Sequence, residues 1–220
     1  MSGPRILVLG DGEYDLGPVL GEALSPRGLF ALPRLVHRLL SSPTDMAYVC
    51  GRFPDVPPVH GRGAKYARKV RSAIRRARQR QCDVVAIAID RDRRANATTI
   101  VPLREGRDAM AHAGFPPCAV GMAVEAFDAW MIADGKALKA AGGDPTKGHP
   151  NPEKLNGKEG TSRHPKDLAT EAFGGKAGLA RNYAAVAKHV DLALLEKACP
   201  EGFAPFAAEV RERIGPVTGS

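Results

Sequence analysis

Apolar residues in this chain fall into short continuous runs separated by longer stretches with helical spacing. Residues 6–9 (ILVL), 47–50 (AYVC), 84–89 (VVAIAI) and 118–121 (CAVG) read as strands. The run at 84–89 is rich in β-branched residues and lacks polar alternation, which suits a strand buried on both faces of a parallel sheet. Between and after these runs the period becomes helical, over residues 32–40, 62–81, 102–113 and 124–133. Within 62–81, Ala67, Val70, Ile74 and Ala77 form a thin apolar stripe. The alternation predicts an α/β fold, with a mainly parallel four-stranded sheet, right-handed crossovers and flanking helices. After Asp134 the pattern changes. Residues 142–166 are dense in Gly, Pro, Lys, Asn and His, carry no period and read as a long loop. Short helices are predicted over 167–173, 176–189, 192–199 and 203–214. The expected organisation is thus an α/β domain over residues 1–135, then a loop and a helical C-terminal appendage over 136–220.

The 84–89 run ends in Asp90-Arg91-Asp92-Arg93. Residues two apart in an extended segment point to one side, so Asp90 and Asp92 converge at the strand's carboxyl end. Open α/β sheets place their ligands at that edge. Two carboxylates held there repel unless a cation neutralises them, and a hard divalent ion, Mg²⁺ or Mn²⁺, suits them. The plain alternative is a solvated loop whose aspartates pair with Arg91, Arg93 and Arg94. Further acids follow the other strands: Asp11, Glu13 and Asp15 after the first, Glu125 and Asp128 after the fourth. Asp11, Glu13, Asp15, Asp90, Asp92, Glu125 and Asp128 are therefore the candidate metal ligands. Such a cluster can hold one or two ions that activate water and clamp a phosphate, whereas unpaired clustered carboxylates destabilise a fold.

Charge points to the substrate. The formal net charge is +8, and residues 62–80 carry nine Lys or Arg with no acid between Asp55 and Asp83. No acid at i,i+4 balances this helix. Arg62, Lys65, Arg68, Lys69, Arg71, Arg75, Arg76 and Arg78 are the candidate nucleic-acid contacts, set against the plainer reading of a solvated face. Aromatic interleaving is limited to Tyr66, which favours contact with a phosphate backbone over base stacking. Cys50, Cys82, Cys118 and Cys199 are far apart and form no CxxC, so buried reduced thiols are expected. No apolar run of about 18 residues and no signal-peptide pattern occurs, so a soluble, cytoplasmic protein is expected. Trp130 reads as a core anchor, and His149 and His164 as loop residues. No P-loop signature is present.

Two motifs together, acid-Gly-x-x-acid after a strand (Asp11-Gly12-Glu13-Tyr14-Asp15) and a later Asp-x-Asp (Asp90, Asp92), resemble the Toprim domain of primases, topoisomerases and the OLD-family and RloB-like nucleases. The segment from Glu125 to Asp134, with its Ala-Trp-x-x-Ala-Asp, is similar to a small Toprim-like bacterial family found beside ATPase genes in phage-defence loci. The similarity continues from Tyr183 through Ala187, Asp191 and Ala198-Cys199-Pro200 to Phe203 and Phe206. The Toprim pattern has glutamate at the first acid, where this chain has the shorter Asp11. The resemblance implies a metal-dependent nuclease with Asp11, Asp90, Asp92 and Glu125 as catalytic residues. It also implies Lys166 near the scissile phosphate and an ATPase partner. Two other functions fit parts of the pattern. One is a non-catalytic Toprim-like subunit that binds nucleic acid or an ATPase. The other is a glycosyltransferase using Asp90-Arg91-Asp92, which leaves the remaining acids and the basic helix without a task.

Overall fold

The computed structural model describes residues 3–17, 23–41, 45–91, 100–112, 114–155, 157, 159–161 and 163–219, except the side chain of Glu13. Asp92, with Arg93 and Arg94, lies outside the described residues, and so does the Glu13 side chain. In chain order, β1 (Arg5–Gly10), α1 (Glu13–Leu16), β2 (Ala23–Leu24), α2 (Ala31–Leu39) and β3 (Ala47–Arg52) come first. Next, α3 (Lys65–Gln79) leads to β4 (Val84–Asp90), and α4 (Ile100–Asp108) leads to β5 (Cys118–Ala123). The remainder is helical: α5 (Asp128–Met131), α6 (Gly135–Ala140), α7 (Pro165–Ala172), α8 (Leu179–His189), α9 (Leu192–Ala198) and α10 (Phe203–Glu209). A π-helical stretch (Val210–Ile214) continues into α11 (Gly215–Thr218).

Among the described residues the sheet has five strands in the order β2-β3-β1-β4-β5. All neighbours are parallel except β2, which pairs antiparallel with β3. The four predicted strands are present and β2 is additional. Its two residues are too few to carry a period and lie in a Gly/Pro-rich stretch. Side chains alternate strictly between the faces. Ile6, Val8, Ala86 and Ala88 point towards α2, α8 and α10. Leu7, Leu9, Val85, Ile87 and Ile89 point towards α3 and α4. Gly106 permits the close crossing of these last two helices, because a Cβ there would fall 2.4 Å from the Ala67 carbonyl oxygen.

One core runs across the expected 135/136 division. Trp130 is fully buried, with its ring 5.1 Å from Phe203 and 5.7 Å from Phe206, and so ties α5 to α10. Helix α8 packs on α2 and α10 on β5, so the C-terminal helices cover one face of the sheet. The stretch read as an unbroken loop over 142–166 contains two 3-10 turns, at Pro145–Lys147 and Pro152–Lys154. All four cysteines are buried free thiols. Among the described residues, no helix is long and apolar enough to cross a membrane.

Candidate functional site

β1, β4 and β5 are parallel neighbours, so the residues that follow them emerge at one edge of the sheet. Asp11 leaves β1 and its Oδ2 accepts the Asp90 amide at 2.6 Å. The Asp90 Oδ1 accepts the Phe127 amide at 2.8 Å, linking β4 to the turn after β5. Asp15, on the single turn of α1, folds back so that its Oδ2 accepts the Gly12 amide at 3.1 Å. Asp128 opens α5, and its carboxylate accepts the hydroxyl of Tyr183 from α8. Asp11, Asp15, Asp90 and Asp128 are thus drawn into one cluster from three loops.

The turn before α5 is strained. Glu125 has φ +66°, a left-handed conformation that disfavours a side chain with a Cβ. Ala126 then closes back on the Val124 carbonyl at 2.9 Å. This turn explains why the helix predicted from residue 124 begins only at Asp128. It also leaves the Phe127 amide aimed at Asp90. Glu125 itself is half-buried in the same loop.

Burial and mutual repulsion govern the acidity of the cluster. Asp15 is pushed up to about 7, first by burial and then by the charges of Asp128 and Asp11, against the pull of the Gly12 amide. Asp90 is raised well above the usual carboxylate range by burial, then by Asp15, Asp11 and Asp128. Burial also raises Asp128, with the Tyr183 hydrogen bond and the charge of Lys166 opposing it. Tyr183 in turn is held protonated by burial and by the Asp128 charge. Lys166, on α7, has its ammonium 2.9 Å from Glu159 and feels the charges of Asp128 and Asp90. Arg91 turns to Glu201 at 3.8 Å.

The donors are all carboxylates, the ligands that hard divalent ions take, and their raised acidities mark surplus negative charge. In donor chemistry the cluster fits such an ion. Among the described residues, no three Asp, Glu, His or Cys side chains stand close enough to share one ion. Asp11, Asp15 and Asp90 each have one oxygen on a backbone amide, which leaves the other as a donor, and a shared ion calls for these side chains to draw together.

The basic helix divides on inspection. Arg75, Arg76 and Arg78 are exposed, as are Arg62 and Lys65 ahead of them. Arg78 lies 5.0 Å from the Phe115 ring centroid, a cation–π contact. Arg71 donates to the Arg62 carbonyl at 2.6 Å and, like Arg68, is half-buried. Lys69 departs from the expected nucleic-acid contacts. It is 8% exposed, and its ammonium donates to the Phe53 and Pro54 carbonyls at 3.2 and 2.6 Å. Burial lowers its basicity. A buried ammonium capping two carbonyls is not available to a phosphate. His164 likewise proves structural: it is buried, and its Nδ1 accepts the Lys166 amide at 3.2 Å as the cap of α7.

Two residues matter here in roles that the sequence does not announce, Tyr183 as partner of Asp128 and Lys69 as a buried cap rather than a nucleic-acid contact. Tyr183 stands 55 positions from Asp128, a separation that no local motif encodes. Lys69 did leave a signal, since it shares a helical face with Ala73, the buried residue four positions on.

Compared with known proteins, residues 10–211 match the family model described as Domain of unknown function (DUF4276). No curated protein and no solved structure matches the chain.

Proposed function

We propose that this chain, which belongs to the DUF4276 family, is a divalent-metal-dependent phosphodiesterase, a Toprim-like nuclease acting on nucleic acid in the cytoplasm. The observation that carries this reading is the buried cluster of Asp11, Asp15, Asp90 and Asp128 at the carboxyl edge of a parallel sheet. Three of these acids have raised pKa values, and Lys166 stands beside them. A stabilising role alone explains the cluster poorly, because like charges in a buried site weaken the fold.

In this reading Asp11, Asp15, Asp90 and Asp128 would hold Mg²⁺ or Mn²⁺, with Glu125 and, from the sequence pattern alone, Asp92 and Glu13 as further oxygen donors. The ion, when bound, supplies Lewis-acid activation of a water and charge neutralisation at a phosphate. Tyr183 fixes one oxygen of Asp128 by its hydrogen bond. Lys166 can exchange Glu159 for a non-bridging phosphate oxygen, since the Glu159 side chain is 63% exposed and loses little by releasing it. The exposed arginines of α3 meet the phosphate backbone through charge. An ATPase partner, implied by the resemblance to defence-associated proteins, would regulate the activity.

A second reading, a non-catalytic subunit that binds nucleic acid or an ATPase, is favoured by one observation. Asp11, Asp15 and Asp90 are each engaged with a backbone amide, as scaffolding aspartates are. Incubation with single-stranded and duplex DNA and RNA, with Mg²⁺, Mn²⁺ or EDTA, separates the two. Metal-dependent cleavage by the wild type that Asp90→Asn abolishes supports the nuclease. Binding without cleavage under every condition supports the subunit.

A further inference from the structure

A cleft of about 550 Å³ opens on the α8 side of the sheet, lined by Tyr14, Phe30, Lys176, Leu179 and Arg181 among others. Its volume falls within the usual range for small-ligand sites. Tyr14 connects it to the acidic cluster. Tyr14 immediately precedes Asp15, and its ring meets Tyr183 edge-on at 6.3 Å, the same Tyr183 whose hydroxyl holds Asp128. Phe30 is fixed from behind. Gly17 has φ +78°, and a Cβ there would fall 2.2 Å from the Phe30 ring, so the aromatic packs against bare backbone.

The chemistry of the lining is mixed in a specific way. Two aromatic side chains line the cleft, and Lys176 and Arg181 are exposed cations. The charge of Lys176 also acts weakly on Glu159, the ion-pair partner of Lys166. A planar base with an attached phosphate matches both features, since bases stack on aromatic side chains with little sequence preference. A base inside an intact duplex has its faces covered by its neighbours and cannot enter. We infer that this cleft seats an unpaired nucleotide next to the scissile phosphate, which makes the substrate a single strand, an overhang or a loop. The inference rests on the phosphodiesterase reading for what happens at the neighbouring carboxylates, though not for the binding itself.

The test is binding in EDTA, by fluorescence anisotropy, of labelled single-stranded DNA and RNA 12-mers and a blunt duplex of the same sequence. Phe30→Ala and the double substitution Lys176→Ala/Arg181→Ala are compared with wild type and with Phe30→Trp, which keeps a stacking face. Phe30→Ala is expected to weaken single-strand binding about tenfold, with the blunt duplex within twofold and Phe30→Trp close to wild type. The double variant should flatten the single-strand salt dependence by roughly 1.4 log-log units, about 0.7 per lost contact. It changes exposed residues, so it keeps the test informative if Phe30→Ala fails to fold. Equal loss on single strand and duplex, or no loss on either from the double variant, overturns the inference. Cleavage in Mn²⁺ is scored separately. A wild type that cleaves a blunt duplex, with cleft variants unaffected in binding and cleavage, keeps the phosphodiesterase and loses the cleft. A wild type that never cleaves, but loses single-strand binding through the cleft variants, does the reverse.

Discussion

Asp15→Asn should change the way stability depends on pH. In the folded, metal-free protein Asp15 is buried beside Asp128 and Asp11, and its pKa is pushed up to about 7 from an ordinary 3.8. The folded state therefore binds its proton more tightly than the unfolded state does. Where the folded state holds more protons, stability falls as pH rises. The favourable contribution is intact below about pH 4 and is lost progressively up to about pH 7. Between pH 5 and pH 8 a shift of this size removes about 2–3 kcal/mol of stability. For a chain of this length that corresponds to about 5–10 °C in melting temperature. Asparagine keeps an oxygen for the Gly12 amide and cannot ionise, so it escapes the penalty. The assay is thermal unfolding in EDTA at pH 5 and pH 8 for both proteins. Asp15→Asn should gain on wild type by about 5–10 °C between the two values. A constant difference, or one that favours wild type at pH 8, refutes the picture of a buried repelling carboxylate.

Three further expectations concern the scaffold and the charged surface. Lys69→Met should cost about 1–3 kcal/mol in urea unfolding, because the Phe53 and Pro54 carbonyls lose their donor, and should leave nucleic-acid affinity within twofold. A large loss of affinity at full stability would return Lys69 to the binding surface. Glu209→Ala should cost about 2–3 kcal/mol, because it leaves the buried Arg107 with only the exposed Asp108 as partner and removes the acceptor of the Val120 amide on the edge strand β5. A loss below about 1 kcal/mol would contradict that role. Arg75→Ala with Arg76→Ala should leave the melting temperature unchanged and flatten the salt dependence of duplex binding by roughly 0.9 log-log units per contact. An unchanged slope makes this face merely solvated.

Much of this arrangement is written in short-range pattern. Strands β1, β3, β4 and β5 were legible because a strand covered on both faces must be apolar at every position, and β1, β3 and β4 end in a charged or glycine-containing turn. Placement after successive parallel strands marked Asp11, Asp90 and Asp128 as neighbours, since such strands deliver their ends to one edge. Trp130 was legible as an anchor because Ala126 and Phe127 precede it by one turn. What stayed hidden depends on contacts between distant segments. Nothing near Asp128 announces Tyr183, and nothing near Tyr14 announces Arg181. Glu125 escaped for a different reason: glutamate carries no local signal for a left-handed backbone, so the turn was absorbed into the following helix. Lys69 shows how charge counting misleads, because a lysine stem can lie along the buried face of a helix while its ammonium reaches carbonyls beyond it.

The most direct test of the metal-dependent site is titration of Mn²⁺ into the wild type and into Asp90→Asn by calorimetry, with cleavage of single-stranded nucleic acid followed in parallel. Asparagine at this position keeps an acceptor for the Phe127 amide, so the fold stays intact while one charge leaves the cluster. The wild type should bind Mn²⁺ and cleave, and Asp90→Asn should lose at least about tenfold in both, near 1.4 kcal/mol. A wild type that takes up no Mn²⁺, or an Asp90→Asn protein that binds and cleaves as well as the wild type, would contradict the metal site and the nuclease together.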